Sequence, residues 1–471
     1  MTTPASKGGT SGARGVPGPR GLPIVGSALD MVRDPLRFLE QSAANYGPIF
    51  EVKLGNRHLV FVSSAELAEP ILGREFEDTT IATTMRESLY PMLGESVATT
   101  VDAQFWNTLH RQMLPMMSPR MMRNYFESTV EAIIDEVADL DRYAASGEVV
   151  ELYPAIKFGT FLALTRTLFN RGMAPEEIPL ILTRFTSSNK YIAARYLTNA
   201  SPLVNAFPAV RQGKKDLDAI NARAHQLIGE RRRTRSGEAE DMLDILIDAV
   251  DDKGTPLSDE RIRENVTALW FGGQETTPTV ATWAFGLMAA DPTIYQGVLD
   301  EVDEVLGDRK PTFADLDRLR YTQGVIDEAM RLYPPFVFLQ REAIRDFELG
   351  GYPMRTGQQF AFFAYGIHRE EKNWPQPERV DPLRHRPELR KERERCAYLP
   401  FGYGKRRCLG SRVGQMESLL MVAMISQRLI FRHANGMLPK AKAQLSIHPD
   451  NGMPVHVTRR QAGAPPPRRG I

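Results

Sequence analysis

The chain is poor in cysteine, with two in 471 residues, Cys396 and Cys408. A disulfide scaffold is excluded at this size, and two thiolates cannot fill a four-cysteine zinc or iron–sulfur site. An excess of one charge is also lacking. Lys plus Arg number 59 and Asp plus Glu 58, so the overall balance calls for neither nucleic acid nor an anionic membrane as partner. No run of about 18 apolar residues occurs, which predicts no transmembrane span. The opening MTTPASKGGTSGARG carries no apolar core of the kind a secretory signal needs. The histidines form no HExxH pair, so a zinc hydrolase has no support. Together these absences predict a cytoplasmic protein in a reducing compartment.

What is present is ordinary globular composition, 42% hydrophobic and 25% charged, which excludes collagen-like, coiled-coil and wholly disordered chains. Residues 1–16 and 460–471 read as tails rich in Gly, Ser, Thr, Pro and Arg. Between them, 17–459 shows no linker and no repeat, and reads as one domain. Helical spacing covers Asp34 to Ala44, Met122 to Leu140 and Leu217 to Arg235. A strand pair is expected at Ile49 to Leu54 and His58 to Val62, across Gly55-Asn56. Leu257 to Ala290 predicts one long helix, capped by Ser258 and stopped at Asp291-Pro292. It would run roughly 50 Å, the width of a domain. The apolar stretch Leu419 to Ile425 is expected in an amphipathic helix. Short strands follow Pro335 and Leu445. The class is mainly α with a smaller β region.

Near the C-terminus stands LPFGYGKRRCLG, with Phe401, Gly404, Arg406, Cys408 and Gly410 at fixed places. A cysteine that opens a helix meets outward N–H groups and the positive helix end, which favour a thiolate. The glycines allow close backbone approach to a flat ligand, and Arg406 offers a fork for a carboxylate. Phe401 can shield the sulfur. These parts suit an axial thiolate on haem iron with a propionate anchored beside it. Cys396 has no such setting and reads as an ordinary small residue.

This loop resembles that of the cytochrome P450 family of haem-thiolate monooxygenases, and further motifs follow in the family's order from about Pro17 to Arg459. Gly272-Gly273-Gln274-Glu275-Thr276-Thr277 in the long helix is similar to the oxygen-activation motif. Gly272 leaves space beside the iron, Gly273 and Thr276 allow a local break in the helix, and the Thr276 hydroxyl can donate toward bound oxygen. Glu275 can feed protons from solvent. Glu328 and Arg331 stand one turn apart before Leu332-Tyr333-Pro334-Pro335, as in the family's Glu-x-x-Arg helix. With Arg379 they are expected to form a buried structural network. Trp106 and His110, with Arg111 as a substitute for the latter, are expected to hold one haem propionate; Arg341 and Arg406 complete the donor set. His368 reads as structural.

The resemblance implies one large domain with the long helix over haem b, and Cys408 as metal ligand. It implies a pocket that includes Ala268, Leu269, Gly272, Phe336, Val337, Phe338 and Met453. The implied activity is insertion of one atom of O2 into a hydrophobic molecule (terpenoid, fatty acid, steroid or polyketide), in secondary metabolism. The alternative is peroxide-driven oxygenation, rearrangement or phenol coupling on the same haem-thiolate centre. Electrons are expected from a separate ferredoxin and its reductase, docking on a basic face formed by Arg384, Arg386, Arg390, Lys391, Arg393 and Arg395 with Lys405 and Arg407.

Overall fold

The computed structural model describes residues 15–169, 173–198 and 200–460. The expected tails at 1–14 and 461–471 lie outside these residues. The described residues include positions just outside the expected limits 17 and 459. Val16 packs against the core, and the Arg460 side chain pairs with Asp303 at 2.5 Å while its N–H donates to the Arg428 carbonyl at 2.8 Å.

The long helix forms as Asp259–Ala290. The Ser258 hydroxyl accepts from the Arg261 N–H at 3.3 Å, and Asp291 starts the next helix, Pro292–Val305, by accepting from the Thr293 N–H at 2.8 Å. Local caps therefore set both ends. Helices Leu152–Phe169, Pro208–Thr234, Arg320–Leu332 and Ser411–Arg428 pack around it. Trp283 lies wholly buried on this strut, stacked on Tyr333 at 3.7 Å and donating to the Ile447 carbonyl at 3.2 Å. Contrary to expectation, the helix does not break at Gly273 and Thr276. It stays α-helical throughout, and the Thr276 hydroxyl donates back to the Gly272 carbonyl at 2.7 Å.

The helix Ser411–Arg428 is another correction. Residues 416–426 are all buried, so Leu419 to Ile425 belongs to a core helix and not to an amphipathic one. Neighbours on several sides, among them Pro119–Ser146 and Asp259–Ala290, leave little of its middle to water.

Strands occupy the periphery. A five-stranded sheet runs in the order Ile49–Leu54, Arg57–Val62, Gln359–Phe362, Leu339–Ala343, Thr79–Ile81. The first two pair antiparallel across Gly55, whose φ of +63° suits the turn. A second sheet places Pro454–Arg459 between Val149–Glu151 and Leu429–His433. A hairpin of Ala441–Ala443 and Ile447–Pro449 leans on the helical body, where the Ile447 N–H donates to the Pro335 carbonyl at 3.2 Å.

Candidate active site

The cysteine loop is shaped by backbone. Gly402 and Gly404 have φ of +70° and +73°, and a Cβ at Gly404 would fall 2.2 Å from the Leu72 carbonyl oxygen. Only glycine fits there. The Cys408 N–H donates to the Phe401 carbonyl at 2.8 Å and closes the loop, three residues before Ser411–Arg428 begins. A cleft of about 870 Å³ opens on Cys408, with Trp106, His110 and Arg407 among its walls. Cys408 is exposed to that open space. Desolvation by the surrounding protein pushes the thiol pKa up, and the opposing pull of the Gly410 N–H and Arg407 does not cancel it. The free chain therefore favours a thiol, not the thiolate expected from the helix end alone. A metal ion would deprotonate it outright. Cys396 is buried and its thiol is pushed up to about 12 by burial.

The expected carboxylate donors sort themselves differently. Arg341 and Arg406 do come together, on Glu75, a wholly buried residue that sequence reasoning missed. Arg406 Nε donates to Glu75 Oε1 at 3.2 Å, and Arg341 Nε lies 2.6 Å from Oε2 without hydrogen-bond alignment. Burial pulls the Arg406 pKa down to about 10 despite Glu75. Two guanidinium groups share one carboxylate, and the Arg341 Nε has no hydrogen bond. That donor set fits a group with two carboxylates. Trp106 does not offer its N–H to such a group, because Nε1 already donates to the Val97 carbonyl at 3.1 Å. His110 stacks on the Trp106 ring at 4.5 Å, and burial lowers its pKa, which favours a neutral ring. Arg111, the expected substitute, folds back on the Asn107 carbonyl at 3.2 Å.

On the long helix, Ala268, Leu269, Gly272, Gly273 and Thr276 keep accessible surface while their neighbours are buried. This spacing is one stripe of a helix. At Gly272 an added Cβ would meet nothing within 4 Å, whereas at Gly273 it would meet Leu164 at 2.6 Å. Gly272 thus leaves room, and Gly273 is a packing notch. Phe336 and Phe338 keep accessible surface. Val337 and Met453 do not: both are core residues, and Met453 packs on Gly286, 14 residues along the helix from Gly272. Met453 is therefore removed from the pocket wall, because roughly 20 Å of helix separates the two glycines.

Glu275 points away from the stripe into a buried polar cluster. Lys157 Nζ reaches Oε2 at 2.9 Å, and the Ser446 hydroxyl and His448 Nε2 reach Oε1 at 3.0 and 2.8 Å. Burial would raise its pKa, but His448 and Lys157 outweigh that and hold it at about 2. Glu275, expected to feed protons from solvent, has a side chain only 7% exposed. Its partners lie 118, 171 and 173 residues away in the chain, so no sequence spacing announces them.

The supporting network forms as expected at Glu328 and Arg331, both fully buried and in contact at 2.6 and 2.9 Å. Arg379 is a correction. Its side chain is exposed and it supplies only a carbonyl, to Arg331 at 3.3 Å. The further partners are His385, 2.8 Å from Glu328 and with its pKa lowered by burial, and the cation Arg384, 3.5 Å away. Arg331 and His385 hold the Glu328 carboxyl at about 2 against the effect of burial. His368 is structural. It meets the Arg331 carbonyl through Nδ1 at 3.1 Å and accepts from the Leu399 N–H at Nε2, 2.7 Å away. Burial depresses it to about 3, so it is neutral. This ring ties the helix to the start of the cysteine loop. The expected basic face is reduced by internal contacts: Arg384 is buried, Arg390 pairs with Asp327, and Arg393 stacks on Trp374 at 4.0 Å. Arg386, Arg390, Lys391, Arg395, Lys405 and Arg407 remain exposed.

The Cytochrome P450 family model matches residues 16–454. The chain is 32% identical over 445 residues to cyclooctatin synthase of Streptomyces melanosporofaciens, covering 91% of this chain and 92% of that one. It is 30% identical over 426 residues to cyclooctat-9-en-7-ol 5-monooxygenase of the same organism, covering 89% and 90%. The crystal structure of the cytochrome P450DA heme domain superposes with a TM-score of 0.86 at 25% identity, over 96% of this chain and 99% of that one. Among the described residues no helix is long and apolar enough to cross a membrane. With its cysteine loop, paired arginines and open helical stripe, the chain belongs to the cytochrome P450 family of haem-iron monooxygenases.

Proposed function

We propose that the protein hydroxylates a hydrophobic terpenoid at a C–H bond, using haem b, O2 and electrons from a separate ferredoxin and its reductase. The observation that carries this reading is the stripe Ala268, Leu269, Gly272 and Thr276, accessible on an otherwise buried helix, with open space at its glycine. The terpenoid class is supported by relatives named for cyclooctatin and for cyclooctat-9-en-7-ol. The working unit is 17–459.

Haem, when bound, supplies the redox centre that activates dioxygen. Cys408 would hold its iron, and Arg341 and Arg406 its carboxylates. Phe401 and the glycines Gly404 and Gly410 shape the loop around the sulfur. Trp106 and His110 form a flat stacked wall beside the cleft. Ala268, Leu269, Phe336 and Phe338 orient an apolar substrate and exclude water. The Thr276 hydroxyl, anchored on the Gly272 carbonyl at 2.7 Å, presents its oxygen on that stripe, where it can hold or pass a proton. Glu275, the preceding residue, is the carboxylate through which that proton would be replenished. Lys405 and Arg407 offer positive charge to an acidic ferredoxin.

The test is the reduced carbon monoxide difference spectrum of the purified protein beside Cys408→Ala. A strongly red-shifted Soret band, absent from the variant, is expected; a band typical of histidine ligation refutes the assignment. Titration with a cyclic terpenoid alcohol is expected to shift the haem spin state. A response to fatty acids and none to terpenoids would overturn the substrate class.

A further inference from the structure

Glu275 is the proton-bearing residue of the proposed reaction, yet it is sealed from water. Its side chain is 7% exposed, that of Lys157 is 8%, and Ser446 is 0%. His448 is different, with 17% of its side chain accessible. It sits on the strand Ile447–Pro449, opposite Lys442, whose ammonium group is 3.3 Å from Asp450. Nε2 faces inward, 2.8 Å from both Glu275 Oε1 and the Ser446 hydroxyl. Nδ1 has no hydrogen-bond partner among the described residues. The ring is fixed edge-to-face on Tyr153 at 4.8 Å, whose phenol burial and the Glu275 charge keep neutral. Lys157 lies across the same carboxylate.

We propose that His448 is the entry point through which protons from solvent reach Glu275. An imidazole is the side chain suited to this, because it binds and releases protons near neutral pH through two separate nitrogens. In the step, the Nε2–H bond breaks as an O–H bond forms on Ser446 Oγ, and the original Ser446 O–H bond breaks as an O–H bond forms on Glu275 Oε1, along the two hydrogen bonds the structure shows; the direct Nε2–Oε1 approach of 2.8 Å lacks hydrogen-bond alignment. A new N–H bond forms at Nδ1 with a proton from hydronium, which leaves water. No electron moves. Lys157, 2.9 Å from the other carboxylate oxygen, keeps Glu275 ionised between transfers, and the Ser446 hydroxyl bridges the imidazole and the carboxylate. The inference rests on the proposed role of Glu275, and the experiment separates the two.

The test compares wild-type holoprotein with His448→Gln and Glu275→Gln. Glutamine keeps a donor for Glu275 but cannot carry a proton, so a purely structural histidine would be replaced without loss. H448Q is expected to slow proton-limited turnover by roughly 10²-fold, the low end of positioned proton transfer. It should raise the solvent deuterium isotope effect and divert reducing equivalents from product, with the substrate-induced spin shift unchanged. Full coupling in H448Q together with uncoupling in E275Q overturns the entry role alone. Full coupling in both overturns the role of Glu275 as well. Infrared spectra supply a readout without turnover. In His448→Phe the protonated carboxyl band is expected to appear at higher pH than in wild type and to be missing from H448F/E275Q, since one of the groups that lower the carboxyl pKa is lost. Identical carboxyl titration in H448F and wild type would overturn the inference.

Discussion

Glu136 places an ionisable group where the fold wants a neutral one. It lies in the helix Pro119–Ser146, 3% exposed, and faces Gly159 of the neighbouring helix so closely that a Cβ there would be 2.7 Å from its Oε2. Burial first, and the Asp139 charge second, push its pKa from 4.5 up to about 8. A folded-state pKa above the unfolded value means that the folded protein holds the proton more tightly. The contribution to stability is complete below pH 4.5, and it is lost as pH rises toward 8. At about 1.4 kcal/mol per pH unit, the gap sets an upper bound of roughly 5 kcal/mol, and relaxation around the charge reduces it to about 2–4. Glu136→Gln keeps the shape and removes the titration. Urea unfolding from pH 5 to pH 9 is the assay. The variant is expected to match wild type at pH 5 and to gain stability steadily up to about pH 8, with a plateau beyond. A difference between the two proteins that does not change with pH would refute the reasoning.

Further outcomes follow from packing and charge. Gly272→Ala should raise thermal stability by about 1 kcal/mol through helix propensity, since the added methyl has open space, while altering ligand-induced spin shifts. Gly273→Ala should cost about 1–3 kcal/mol in the same melts, because the methyl meets Leu164. Arg331→Met should strand the Glu328 charge and cost about 3–5 kcal/mol in chemical denaturation. Arg379→Ala should fall within about 0.5 kcal/mol of wild type, as its side chain is exposed; an equal loss in both would show that the network had been drawn wrongly.

Much of this site could be read from the sequence because its signals are local. Ser258 and Asp291-Pro292 mark the long helix, and the spacing around Cys408 fixes the loop, since caps and tight turns depend on a few adjacent residues. Readings failed where the answer depends on distant chain. Nothing near Glu275 points to Lys157 or His448, and nothing near Arg406 points to Glu75. Arg379 was expected in the network for its charge, yet a carbonyl from that position and side chains from Arg384 and His385 do the work, a choice made by loop geometry. Leu419 to Ile425 looked amphipathic from its flanks, but a helix surrounded by others loses the contrast between faces on which periodicity depends. Trp106 was given a propionate because its indole was free on paper; in the fold the Val97 carbonyl claims it.

The His368 ring bears on any attempt to move the iron-binding loop into another scaffold. Its two nitrogens join the carbonyl of Arg331 to the N–H of Leu399, with no water between them. A graft limited to residues 399–410 would carry the glycines and the sulfur but leave behind the clamp that aims them. The smallest portable unit is therefore discontinuous: the loop, the imidazole 31 residues before it, and the helix Arg320–Leu332.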